Sequence, residues 1–200
     1  MVIPMHKYYL PEGMRYATLE ERREFYTREF DLDKVASWFG NEAEGTRFAV
    51  VMGRHTRIFL EEYKEDSETT ILLEEHKKLL QVQQQVQKFL PESLYYDRNV
   101  YDAQGKKTSQ ELAFDLDPEN VTCPVHGDLA EKMRRGQGLG FCSLELEMVK
   151  QQALGLYEHL ETQFSNLRVV YSGRGFHVHV LDGDVYGWGE KKRREIAGEV

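Results

Sequence analysis

The chain has 200 residues, 40% hydrophobic and 12% aromatic, enough for one globular domain with a real core or one domain carrying a small insertion. A formal net charge of −8 argues against a protein coated in basic surface, while leaving room for a local basic groove. No apolar run reaches the length of a membrane span and the start "MVIPMHKYYLPEGMRY" has no signal-peptide core, so the reading is a cytoplasmic protein with no membrane partner.

In chain order, "ATLEERREFYTREF" has Thr18 and Glu21 in capping-box spacing, which predicts a helix starting at Thr18. A second helical stretch, Asp33 to Phe39, is stopped by Gly40. "TRFAVVMGRHTRIFLEEY" reads as two strands around a Gly53–Arg54 turn. "LLEEHKKLLQVQQQVQKFL" carries Leu79, Val82, Val86 and Phe89 at helical spacing and ends at Pro91. "SLYYDRNVY" and "SQELAFDLD" read as strands joined by a turn containing Asp102 and Gly105. An irregular stretch runs from Pro118 to Phe141. A long helix follows in "SLELEMVKQQALGLYEHLETQF", with Val149, Ala153, Leu156, Leu160 and Phe164 on one stripe. "LRVVYS" and "GFHVHVLD" are strands, and "GEKKRREIAGEV" starts a last helix. Hairpin-paired strands among helices predict an α+β fold with mixed or antiparallel sheets flanked by helices.

Three constellations can carry chemistry. In "AFDLD", Asp115 and Asp117 stand two apart on a strand and project from one face, while Phe114 and Leu116 point to the other. Adjacent carboxylates repel, and a divalent cation with a taste for oxygen ligands, Mg²⁺ or Mn²⁺, relieves this. A strand end with its acids in water is the plainer alternative. In "VVYSGRGFHVHVLDGD", Ser172, Gly173, Arg174 and Gly175 make a tight turn suited to an anion. His177 and His179 then share a strand face, and an ordinary hairpin with one buried and one exposed histidine is the alternative. In "CPVHG" and "FCSLE", Cys123 and His126, then Cys142 and Glu145, repeat the spacing of a zinc half-site. With only these two cysteines a disulfide framework is disfavoured and metal binding in a reducing compartment is the better reading. A loop histidine and a helix-start cysteine are the alternative there.

The order of these features, over roughly Pro91 to Val200, resembles the small catalytic subunit of archaeal and eukaryotic DNA primase, in the archaeo-eukaryotic primase superfamily. The resemblance implies a primase-polymerase catalytic core over residues 1–200, with a zinc-knuckle insertion at 118–145. It implies that Asp115 and Asp117 hold catalytic Mg²⁺ or Mn²⁺, and that Ser172, Gly173, Arg174 and His177 grip a nucleoside triphosphate. It implies structural Zn²⁺ on Cys123, His126, Cys142 and Glu145. The function implied is template-directed primer synthesis on single-stranded DNA, a nucleotidyltransferase reaction, with a primase large subunit as partner in an archaeal cytoplasm. The Arg54–His55 pair echoes a basic pair upstream in the family.

The family pattern also has a third carboxylate on a strand past the helix near Glu190, and Asp182 and Asp184 lie too close to the hairpin to fill that place. The expectation is therefore an amino-terminal portion of a longer catalytic domain, or a reduced relative of it, with Asp115 and Asp117 on an inner strand facing the Ser172–His177 hairpin. Two other classes stay open: a metal-dependent phosphoesterase or nuclease that uses both histidines, and a non-catalytic nucleotide or nucleic-acid binding module.

Overall fold

The structure, a computed structural model, describes residues 9–40, 46–53, 56, 58–63 and 79–199. Two compact units divide the chain: Tyr16–Gln110, and Met1–Arg15 together with Glu111–Val200. The class is α+β, and every described strand pairing is antiparallel. No described helix is long and apolar enough to cross a membrane.

In the unit Tyr16–Gln110, helix α1 (Leu19–Glu24) opens on the expected capping box. Glu21 N donates to Thr18 Oγ1, and Thr18 N donates to the Glu21 carboxylate. A π-helical turn extends α1 to Glu29. Helix α2 (Leu32–Phe39) starts one residue before the expected Asp33, because Asp31 caps it by accepting from the N–H groups of Asp33 and Lys34. Gly40 ends it with φ 52°. Helix α3 (Leu79–Phe89) buries Val82, Val86 and Phe89, as their spacing predicts. Val82 and Val86 join Tyr26, Phe48, Val50 and Leu90 in this unit's core. The earlier part of the expected helix, 72–78, and the side chain of Leu79 lie outside the described residues.

Two strand expectations need correction. The stretch around Gly53 is not a hairpin: β1 (Phe48–Val51) pairs with β2 (Ser93–Tyr96), and Glu61–Tyr63 is a 3-10 turn. The cause is the buried Arg22 of α1. Its guanidinium takes the carbonyl oxygens of Met52, Ile58 and Leu90 and the hydroxyl of Thr56, so carbonyls on both sides of Gly53 serve a side chain instead of a ladder. Arg54 and His55 lie outside the described residues.

"SLYYDRNVY" is likewise two strands, β2 and β3 (Asn99–Tyr101), with β3 pairing to β4 (Lys107–Gln110). Asp97 makes the break by accepting from the N–H and side-chain amide of Asn99 and from the hydroxyl of Tyr101. The Asp102–Gly105 turn stands as expected. The Asp102 carboxylate accepts from Gln104 N and Lys106 N, and Gly105 takes φ 79°.

The second unit carries β5 (Leu112–Leu116), β6 (Leu167–Tyr171) and β7 (Phe176–Val180) in the order β5-β7-β6. Helix α5 (Ser143–Leu160) packs on one face, where Ala153 and Leu160 meet Leu112, Val178 and Val180. Full burial of each valine or leucine side chain here stabilises by roughly 1.5–3 kcal/mol. Helix α6 (Glu190–Glu199) adds Ile196 to this core. Arg193 ties α6 down by donating to the carbonyl oxygens of Val185, Trp188 and Glu111. Between β5 and α5, the irregular stretch contains a 3-10 turn (Pro118–Asn120) and a short helix α4 (Leu129–Arg134) capped by Asp128.

Candidate functional site

The β5–β7 register brings two of the constellations together. Asp115 stands opposite His177, and Ala113 opposite His179. Period-two alternation then puts Asp115, His177 and His179 on the face turned away from Leu112, Val178 and Val180. His177 Nε2 lies 3.0 Å from Asp115 Oδ1. Asp115 is half exposed and His177 partly so, which leaves both within reach of a ligand.

Asp117 follows at the end of β5. Burial, the charges of Glu119 and Asp115 raise its pKa above the ordinary carboxylate range, against the opposing pull of Arg174 and His177. The site is a concentration of negative charge that a cation would relieve, which fits the donor chemistry of Mg²⁺ or Mn²⁺.

The hairpin between β6 and β7 closes over this place. Ser172 N donates to Gly175 O, and Gly175 N donates to Ser172 Oγ. Gly173 takes φ 99°, a left-handed conformation that favours glycine. Arg174 makes an ion pair with Glu119. Gly175 is required for another reason: a Cβ there would run into Asp117 Oδ1 and the Leu116 carbonyl oxygen. Gly175→Ala should therefore push the hairpin off Asp117. We expect it to lower stability by about 1–3 kcal/mol, the usual scale for overpacking, measured by denaturant unfolding.

The structure differs from the sequence expectation on the position of Asp115 and Asp117. Strand β5 is an edge strand among the described residues, not an inner one. Strand β7 spends one edge on its hairpin partner β6 and the other on β5, so the central place falls to β7. Asp182 is engaged elsewhere. Its carboxylate accepts from Ser165 N, Ser165 Oγ and Asn166 N, at the end of β7 away from Asp117. His179 is buried and paired with the equally buried Glu111 at 2.8 Å.

The third constellation also converges. Cys123, His126, Cys142 and Glu145 place one ligand atom each within 4.8 Å of one another. Cys123 Sγ is 3.4 Å from His126 Nδ1 and 4.0 Å from Cys142 Sγ, and His126 Nδ1 is 3.7 Å from Glu145 Oε2. Tetrahedral metal bonds of about 2.0–2.3 Å would set donor separations of roughly 3.3–3.8 Å; the four donors lie within about 1 Å of that spacing, so two thiols, an imidazole and a carboxylate could close on a metal ion here.

Local chemistry builds the cluster. A tight loop joins Cys123 and Gly127 by reciprocal backbone hydrogen bonds, with Gly127 at φ 81°. Cys142 is the N-cap of α5 and Glu145 its N3 residue, so a capping box aims both side chains at one point. Burial opposes charge on Glu145, but Lys132 Nζ at 2.6 Å and Cys142 N–H hold its carboxyl below the ordinary range. The ring of Tyr9 stacks on His126 at 4.5 Å, and its hydroxyl donates to Glu145.

The sequence reading missed Tyr9, Glu111, Lys132 and Glu119. Glu119 was the most accessible of these, standing two residues after Asp117 in "DLDPEN". Tyr9 carries no local signal, because its partner Glu145 is 136 residues away, and Lys132 reads as an ordinary charged residue of a short helix.

No protein-family model matches the chain. It is similar to a protein of Archaeoglobus fulgidus named "Uncharacterized DNA primase small subunit-like protein", 44% identical over 96% of this chain and 74% of that protein. It is also similar to the DNA primase small subunit PriS of Halobacterium salinarum, 34% identical over 55% of this chain and 28% of PriS. The PriS of Thermococcus sibiricus is 26% identical over 96% of this chain and 52% of its own length. The chain thus spans about half or less of these two primase subunits. On the identity and coverage of the Archaeoglobus relative, the chain belongs to the DNA primase small subunit-like family.

Proposed function

We propose that the chain is a nucleotidyltransferase of primase type, which extends a primer on a single-stranded DNA template from nucleoside triphosphates. One observation carries the reading: the β5–β7 register sets Asp115 against His177, with Arg174 and the Ser172–Gly175 turn beside Asp117. The names of the archaeal relatives support the same class. A primase large subunit is the partner this reading implies.

In the reaction a 3′-hydroxyl attacks the α-phosphate and pyrophosphate leaves. Asp115 and Asp117 would hold two divalent ions, Mg²⁺ or Mn²⁺, which when bound activate the attacking oxygen and steady the leaving group. Arg174 offers a planar fork to phosphate oxygens. His177, oriented by Asp115, donates to the same chain of phosphates, and a protonated His177 adds positive charge where negative charge develops. Ser172 and Gly173 shape the turn that brings these groups within reach. The nuclease reading needs His179 as a metal ligand, and its burial against Glu111 argues for a structural place instead.

The binding step is tested by titrating Mn²⁺-loaded chain with a nucleoside triphosphate and with the matching monophosphate. The reading expects the triphosphate to bind at least about tenfold more tightly, and more weakly after Arg174→Ala. Equal affinity for both would contradict it.

Zn²⁺ is the ion we assign to Cys123, His126, Cys142 and Glu145, in a structural role. Its donor set of two thiols, one imidazole and one carboxylate suits zinc better than Mg²⁺ or Mn²⁺. Elemental analysis of protein purified without added metal should find about one zinc per chain, and chelation should lower the thermal midpoint. A metal-free protein of unchanged stability would refute the assignment.

A further inference from the structure

Arg174 is the residue on which triphosphate recognition rests above, and in this structure it is already occupied. Its guanidinium is held by Glu119, and both side chains are mostly withdrawn from water, at 30% and 23% exposure. Glu119 sits on the 3-10 turn that follows Asp117 directly, and the turn is fixed by Asn120 N donating to Asp117 O at 2.9 Å and by the buried Pro118. The carboxylate is therefore carried on a short, defined support beside the acids.

The pairing satisfies Arg174 incompletely. Its Nε is buried with no hydrogen-bond partner, so the guanidinium fork is not fully used. A buried donor without a partner is unfavourable, and a ligand with several acceptor oxygens could engage more of the fork than one carboxylate does. His177 stands at the same place, 3.0 Å from Asp115. An incoming triphosphate and Glu119 would thus compete for the same guanidinium.

We propose that Glu119 is an internal competitor for the triphosphate: it occupies Arg174 in the nucleotide-free chain and yields it when the phosphate chain arrives. The inference rests on the reading of Arg174 as a triphosphate-binding residue. It gives the site a selectivity that positive charge alone would not. A ligand with a single phosphate offers little to displace an anion already in place, whereas a triphosphate offers several charged oxygens to do so. The affinity of a ligand whose binding-competent state is only partly populated falls by that fraction, so removing the competitor should tighten binding.

The test is a double-mutant cycle on the full chain loaded with Mn²⁺, with ATP as the probe and adenosine as the control, read by calorimetry. Glu119→Gln preserves size and removes the charge. It should tighten ATP binding by about 3–10-fold and leave adenosine unchanged. In an Arg174→Ala background the same substitution should change ATP affinity less than about twofold. If Arg174→Ala weakens ATP binding but Glu119→Gln weakens it too or leaves it unchanged, Glu119 merely supports Arg174 and the inference fails while the nucleotide site stands. A gain from Glu119→Gln of equal size with and without Arg174 would mean general relief of negative charge, and would also overturn the competition. If Arg174→Ala leaves ATP affinity unchanged, the nucleotide reading of Arg174 fails, and the inference with it.

Discussion

Asp115→Asn and Asp117→Asn should each cut nucleotide incorporation by at least about 10²–10³-fold, the scale for removing one electrostatic contact from a reacting site. The two variants should part company in stability. Asp117 carries its charge at a cost in the fold, because burial and the neighbouring Glu119 and Asp115 raise its pKa. A group whose folded pKa is raised favours the fold below its unfolded pKa, and that advantage is lost as pH rises through the folded value. Without metal, Asp117→Asn should therefore be as stable as the parent chain or more so at neutral pH, and the difference should shrink as the pH falls below the ordinary carboxylate range. Added Mn²⁺ should stabilise the parent and not the variant. Thermal unfolding across pH, with and without Mn²⁺, reads all of this. A clear loss of stability in Asp117→Asn at neutral pH would show that its charge is paired within the fold, not held for a cation.

Lys132→Met should be the most damaging single change away from that site. Lys132 and Glu145 form a fully buried ion pair at 2.6 Å, and Lys132 Nζ also donates to Gly140 O. In the metal-free chain, removing the ammonium leaves a buried carboxylate without its countercharge beside the thiols of Cys123 and Cys142. Breaking such a pair on one side costs about 3–5 kcal/mol. In a chain of this size that is a fall of roughly 6–20 °C in thermal midpoint. Pairing it with Glu145→Gln removes the stranded charge and should recover part of the loss, even though the capping box is weakened. A fall under about 1 kcal/mol for Lys132→Met alone would mean that Glu145 is held by its other partners.

Much of the second unit was legible in the sequence because its signals are local and agree with one another. Period-two alternation put Asp115 and Asp117 on one face and His177 and His179 on one face. The apolar stripe of α5 announced the helix that covers the opposite side. What alternation could not give was which strand lies beside which, and so Asp115 was expected on an inner strand when β5 is at the edge of the described sheet. The Cys123–His126 and Cys142–Glu145 pairs were visible as equal spacings. Their convergence is a tertiary fact, supplied by the capping box of α5 and by the buried Lys132.

The first unit was harder, and one residue explains most of it. Arg22 sits in a charged stretch, "EERREF", that reads as a solvated helix face. Its side chain instead turns inward and gathers carbonyls from three separate segments, which replaces the hairpin the apolar pattern suggested. No periodicity marks a buried arginine. The pairing of Glu119 with Arg174 was hidden for a different reason: the two are 55 residues apart, and only the fold brings them together.

Incorporation of labelled nucleotides into a primed single-stranded DNA template, in the presence of Mn²⁺ or Mg²⁺, is the most direct measurement of what this chain does. The parent chain should extend the primer, with extension lost on chelation and in Asp117→Asn, and with ribo- and deoxynucleotides run side by side to read its sugar preference. A parent chain that binds Mn²⁺ and triphosphate yet adds no nucleotide to the primer would contradict the account, and would make this site a nucleotide-binding module without catalysis.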